Sequence, residues 1–244
     1  MRAIILAAGL GTRMRPLTDH LPKPLLQAGG SALIEYHLRN LAQAGIREIV
    51  INHYHLGERL EEALGDGSRY GVQIAWSREA VRLETAGGIV NALPMLGDEA
   101  FAVVSGDIWT DCDFARLQPV DGRDTLARLV MVPNPPHHPT GDFVLDAAGC
   151  LRLRAAQEAQ PGCTYSGISV MHPALFAGLS AQPLPLRPVL DAAIAAGRVA
   201  GELYAGRWFD IGTPQRLQEL DVMLKEYSAS VDEVVPGSSP ADTP

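Results

Sequence analysis

The 244-residue sequence predicts an α/β protein built on a doubly wound, mostly parallel sheet, and three observations carry that expectation. Short apolar runs alternate with amphipathic helical patterns over the first half, as in chains of βαβ units. The first apolar run ends in a turn holding two glycines, where a crossover would begin. After about Leu126 the apolar runs are separated by loops rich in proline and glycine instead of helices, which predicts a mixed or antiparallel extension laid over the first sheet.

Each element has a local reason. Arg2 to Ala8 is a strand of small and branched apolar residues. Leu33, Leu38 and Leu41, with Ile34 and Tyr36 between them, have helical spacing, and Gly45 stops that helix before a strand at Glu48 to Asn52. The cycle repeats with a helix at Leu56 to Leu64, the turn "GDGS", a strand at Val72 to Trp76, a short helix at Gly87 to Leu93 and an apolar strand at Phe101 to Ser105. The second half offers strands at Leu126 to Val132, Phe143 to Leu145 and Ser166 to Met171. Helices follow at Leu186 to Ala196 and at Pro214 to Tyr227, the latter capped by Thr213 with proline in its first turn. Residues 1–227 are expected to form one domain, with halves 1–125 and 126–227. Residues 228–244, small, polar and proline-rich, predict a disordered tail.

Composition narrows the function. Apolar residues make up 47% of the chain and charged residues 20%, ordinary values for a globular protein, and the formal charge is −8. That balance argues against general affinity for nucleic acid or an anionic membrane, so the expected partners are small molecules. Cys112, Cys150 and Cys163 are few, odd in number and widely spaced, which indicates neither a disulfide framework nor a cysteine metal site and fits a reducing cytoplasm. No apolar run reaches the roughly 18 residues of a membrane span. A monomer or small homo-oligomer is expected.

The glycine turn, "AAGLGTRMRP", predicts an anion site, because glycine N–H groups can point inward while Arg13 and Arg15 supply charge. It is not a P-loop, which needs GxxxxGK[ST]. Nor is it a dinucleotide fingerprint: Gly9 and Gly11 are followed by Met14 where the third glycine belongs, and the second strand ends in Asn52 and His53, not a ribose-binding acid. Lys23 lies between two prolines that lock φ on both sides, a stiff mount for one positive charge. The plainer reading of Gly9 and Gly11 alone is a βα turn beside a solvated arginine pair.

The whole stretch "LAAGLGTRMRPLTDHLPKPL" resembles the signature of the sugar-1-phosphate nucleotidyltransferases across twenty residues without a gap. The likeness continues through "GDGSRYG", "ETAGGI", "SGDIWTD" and "GRWFDIGTP". Within that family the chain is most similar to the short uridylyltransferases acting on N-acetylmuramate α-1-phosphate, through "INHYHLG", "NPPHHPTGDF" and "YSGISVMHPALF". Ser105 departs from the Asn that commonly precedes the Gly-Asp pair there. The resemblance implies a Rossmann-like, GT-A-type sheet with the extension over the sugar site. It also implies UTP and a sugar 1-phosphate as substrates. Glucose or mannose 1-phosphate with another nucleotide is the alternative, as is a sensor on the same fold without catalysis.

In such a reaction an anionic sugar phosphate attacks the α-phosphorus, so positioning and charge neutralisation replace a general base. Asp107 and Asp210, each ending an apolar segment, are the expected Mg2+ ligands, and the resemblance assigns the same pair. Arg13 and Lys23 complete the expected catalytic set. Nucleotide contacts are expected from Ala8, Gly9, Gly11, Thr12, Arg13, Lys23, Gly87 and Gly88, the last two admitting close approach of the main chain to a pyrimidine edge or else simply packing a helix start. Sugar contacts are expected from Ser105, Gly141, Glu158, Ser166 and Gly167. His137 and His138 belong to a loop over the sugar; being adjacent, their side chains point apart and do not share a metal. Asp113 is expected only to cap a helix, and Asp111 to hold a turn.

Overall fold

The computed structural model describes residues 1–155 and 161–234. In chain order the elements of the first half are β1 (Ala3–Leu6), β2 (Gln27–Ala28), β3 (Ser31–Ala32), α1 (Leu33–Gln43), β4 (Glu48–His53), α2 (Gly57–Leu64), β5 (Gln73–Arg78), α3 (Glu84–Leu96) and β6 (Phe101–Ser105). The second half holds β7 (Ile108–Thr110), β8 (Ala127–Val132), β9 (Phe143–Leu145), β10 (Leu151–Leu153), β11 (Thr164–Met171), α4 (Leu186–Ala195), β12 (Val199–Leu203), β13 (Trp208–Asp210) and α5 (Pro214–Val234).

The central sheet has the order β12-β8-β11-β6-β1-β4-β5. β5, β4, β1 and β6 are mutually parallel, and β11 enters antiparallel to both β6 and β8, with β12 parallel to β8 at the far edge. The mixed extension is therefore continuous with the parallel strands in one sheet, not laid over them as the loop-rich second half predicts, because β11 takes the free edge of β6 directly.

Alternation along the strands explains how both faces are covered. Ala3, Ile5, Ala102 and Val104 face one core with Ile34, Leu38 and Leu41 of α1 and Leu60 of α2. Ile4, Phe101 and Val103 face the other with Ala86, Ile89 and Leu96 of α3 and Leu190 and Ile194 of α4. A third core forms under α5, where Leu217, Leu220 and Leu224 pack on Met14, Leu33 and Trp109. Each buried leucine there contributes about 2 kcal/mol, which fastens the last helix to the loop that follows β1.

Several boundaries differ from expectation. α3 starts at Glu84, three residues before Gly87, and α5 continues to Val234, beyond Tyr227. Residues 235–244 of the expected tail lie outside the described residues. β12 carries no sequence signal because Ala200 and Gly201 break any alternation. Gly201 is required there, since a Cβ would lie 2.9 Å from Leu151, whose hairpin packs on that strand. As expected, Asp113 caps a turn by accepting the Ala115 N–H at 3.0 Å, and Thr213 accepts the Arg216 N–H at 3.3 Å in the first turn of α5.

Candidate active site

β1, β4 and β6 end level with one another, with Leu6 paired to Asn52 on one side and Ser105 on the other. The chain order reverses at β1, the place where open α/β sheets bind ligands beyond their strand ends. A cavity of about 300 Å³ opens there, lined by Ala7, Ala8 and Gly9 after β1, by Lys23, by Ser105 at the end of β6, and by Gly106 and Asp107 after it. Gly106 is needed for this junction: its N–H donates to the Leu6 carbonyl at 2.9 Å, and a Cβ would lie 2.8 Å from that oxygen.

Lys23 sits in a short 3-10 turn between Pro22 and Pro24, and its ammonium lies 2.7 Å from Asp107 Oδ2. The lysine side chain is only 9% exposed, against 44% for the aspartate, so a buried cation presents an accessible acid to the cavity.

A second cavity, of about 620 Å³, adjoins the first and shares Thr85, Ser105, Asp107 and Pro185 with it. Its floor is the two-stranded ribbon of β7 and β13, in which Asp210 pairs opposite Ile108, the residue after Asp107. The Ile211 N–H donates to the Asp107 carbonyl at 3.0 Å, tying the two acid-bearing segments together. Asp210 is paired with Arg216 and lies 3.0 Å from His137 Nε2. His138 approaches Asp142 instead, at 3.3 Å, so the adjacent histidines do serve different partners. Ser166 and Gly167 line this cavity at an irregularity in β11; Gly167 has φ +83° and comes so close to Ser105 that a Cβ would lie 2.6 Å from its Oγ.

Ala8, Gly9, Lys23 and Asp107 are thus brought to the smaller cavity, and Asp107, Asp210, Ser105, Ser166 and Gly167 to the larger. Gly11, Thr12 and Arg13 do not line either. Gly11 (φ +63°) accepts the Thr18 hydroxyl at its carbonyl, 2.8 Å away, which shapes the turn, and Arg13 is exposed beyond it. Gly87 and Gly88 are buried in α3, where a Cβ would lie 2.0 Å from the Gln182 carbonyl oxygen and 2.6 Å from Asn52 and Glu79 respectively. Packing explains both glycines. Gly141 also packs, with φ +65° and a Cβ position 2.6 Å from Asn134. Glu158 lies outside the described residues.

Sequence reasoning passed over the support beneath the cavity. Asn52 accepts the Ala7 N–H at 2.9 Å and donates to Glu79 at 2.7 Å, and Glu79 accepts the Leu83 N–H at 3.0 Å. Burial raises the Glu79 carboxyl above its usual range despite these donors. Glu84 and Arg187 also line the cavities, and Glu84 has φ +58°, a conformation uncommon for a residue with a side chain and one that collects at functional sites. Only the quoted "ETAGGI" could have pointed to Glu84.

Residues 2–141 match the model of the nucleotidyl transferase family. The chain belongs to that family. This nucleotidyl transferase is 49% identical over 228 residues to an N-acetylmuramate alpha-1-phosphate uridylyltransferase of Neisseria meningitidis serogroup B, covering 91% of this chain and 98% of that protein. It is 34% identical to a protein of the same description from Caulobacter vibrioides, covering 92% and 97%. Among solved structures, a Bacillus anthracis chain described as a glucose-1-phosphate thymidylyltransferase, in complex with sucrose, superposes with a TM-score of 0.78 over 93% of this chain and 96% of its own. At 20% identity that likeness shows the α/β fold.

Proposed function

We propose that this nucleotidyl transferase moves UMP from UTP to N-acetylmuramate α-1-phosphate, giving UDP-N-acetylmuramate and pyrophosphate. The observation that carries this reading is the 49% identity, over nearly the full length of both chains, to a protein described by that activity. The two cavities support it. The smaller, at the strand ends, takes the nucleotide, the larger takes the sugar, and they meet at Asp107 where the phosphates must meet.

The sugar phosphate is already an anion, so its oxygen attacks the α-phosphorus without a base and pyrophosphate leaves in line. What this chain supplies is proximity and charge. Lys23, aimed at Asp107, offsets charge where the two phosphates approach, and Arg13 at the rim of the β1 loop takes the outgoing β- and γ-phosphates. Gly9 lets the base and ribose lie against the backbone. Asp107 and Asp210 both line the larger cavity, and their carboxylates are hard oxygen donors that suit Mg2+. Mg2+ bound by Asp107 and Asp210 would neutralise charge on the phosphates.

The same reading proposes a nucleotide half at 1–125 and a sugar half at 126–227, in a cytoplasmic enzyme of small substrates. No helix among the described residues is long and apolar enough to cross a membrane, and Cys112, Cys150 and Cys163 are free. The test is pyrophosphate release with UTP, dTTP, CTP and GTP crossed with the 1-phosphates of N-acetylmuramate, N-acetylglucosamine, glucose and mannose. UTP with the muramate should give the highest kcat/KM. A better rate with glucose or mannose 1-phosphate overturns the substrate and leaves only the transfer chemistry.

A further inference from the structure

We propose that Arg187 is the residue that recognises the lactyl carboxylate of the sugar and so sets the preference for a muramate over a plain hexosamine, an inference that rests on the muramate reading above. That carboxylate is the one charge distinguishing the two sugars. A site selective for it needs a cation that is not already committed to the phosphates or to the metal ligands.

Arg187 meets that condition. It is the one lysine or arginine among the described residues lining the larger cavity, in the first turn of α4 beside Pro185, which lines both cavities. Its guanidinium carbon lies 4.5 Å from the centroid of the Phe143 ring, and its Nε donates to Asp191 at 2.6 Å. Stacking and this ion pair fix the plane of the fork. Among the described residues the terminal nitrogens make only long contacts, 3.4 Å to the Asp142 carbonyl and 3.7 Å to its carboxylate, and the side chain is 51% exposed. A planar fork held at its base with its outer edge loosely engaged is suited to bidentate binding of a carboxylate.

The competing groups are committed elsewhere. Lys23 is on Asp107, Arg216 on Asp210, and His137 and His138 lie against Asp210 and Asp142. Asp142 is held in turn by the Tyr165 N–H at 2.9 Å. The two histidines of the 134–143 loop therefore orient acids, and the reading of substrate charge falls to α4.

The test compares kcat/KM for the 1-phosphates of N-acetylmuramate and N-acetylglucosamine in the wild type, Arg187→Gln and Arg187→Lys, with Mg2+ and saturating UTP. The wild type should favour the muramate by about 10-fold or more. Arg187→Gln should lower the muramate value about 10- to 100-fold while the glucosamine value stays within about 3-fold, and Arg187→Lys should recover part of the loss. If both substrates fall together, or neither falls, Arg187 is not the discriminating residue. A wild type without preference would instead overturn the muramate reading itself, before any variant is considered. Should Arg187→Gln fail to fold, the wild type can be tested with the lactyl amide in place of the acid. A loss of similar size supports the inference, and equal turnover of acid and amide overturns it.

Discussion

Gly9 and Gly87 both look like ligand glycines in the sequence, and alanine at each should separate a ligand role from a packing role. At Gly9 a Cβ would find no atom within 4 Å and the backbone is outside the left-handed region, so Gly9→Ala should change stability by less than about 0.5 kcal/mol. The methyl group would, however, be added to a residue lining the smaller cavity, which the proposed function gives to the nucleotide. Overfilling a packed contact costs about 1–3 kcal/mol, so kcat/KM for UTP should drop by roughly 5- to 150-fold. At Gly87 the added Cβ would stand 2.0 Å from the Gln182 carbonyl oxygen, in a segment tied to α3 by the Ala86 and Gly87 N–H groups, which donate to Leu184 at 3.0 and 3.1 Å. Alanine gains about 1 kcal/mol of helix propensity, but no rotamer relieves a clash with backbone. Overpacking of about 3 kcal/mol plus about 1 kcal/mol for each of two strained hydrogen bonds exceeds that gain several-fold. Gly87→Ala should therefore lose roughly 2–4 kcal/mol, or about 4–16 °C in Tm for a domain of this size. Thermal melts and UTP titrations of both variants decide it. A destabilised Gly9→Ala with unchanged kinetics, or a Gly87→Ala that melts like wild type, would refute this assignment.

Asp107→Asn and Asp210→Asn should each reduce turnover by about 100-fold or more while the fold survives, because an amide oxygen still accepts from Lys23 or Arg216 but removes a metal-binding charge. Undiminished turnover of both variants, or full activity in excess EDTA, excludes the two-aspartate site. His37 supplies a pH test. Buried on α1 with Nε2 2.9 Å from the Ile108 carbonyl, it has a pKa lowered to about 4 by loss of solvent, against an ordinary 6.5. The unfolded chain therefore binds a proton that the native state refuses between those values. Stability from this group is full above about pH 6.5, falls as the pH drops towards 4, and loses about 3 kcal/mol in all. His37→Gln, which keeps a donor for Ile108, should remove this contribution, so that the unfolding free energy of wild type falls relative to the variant's as the pH drops through that window, and parallel curves would disprove it.

The strands β1, β4 and β6 were legible because short unbroken apolar runs, with side chains pointing to both sides, can be buried only on a sheet covered on both faces. Lys23, Asp107 and Asp210 were legible because proline, glycine and strand ends restrict where such side chains can point. The glycines of "ETAGGI" leave their role open in the sequence, since whether a missing Cβ admits a ligand or a neighbouring carbonyl depends on what lies opposite, and Gln182 is 95 positions away in the chain. Gly11 likewise reads as a ligand residue in the sequence, whereas the hydroxyl of Thr18 makes it a turn residue.

The sequence by itself determined the class of sheet, the loop after its first strand and the acids at its strand ends, because those follow from periodicity and from backbone restrictions within a few residues. Only the tertiary structure decided that β11 joins β6 and that the β7–β13 ribbon sets Asp210 beside Asp107. It also decided that Asn52 and Glu79 brace the smaller cavity and that Arg187 lines the larger one, apart from Lys23 and Arg216. These are pairings between residues far apart in the chain, chosen by which edges, faces and charges remain unsatisfied once the local elements have formed, and no local pattern encodes them.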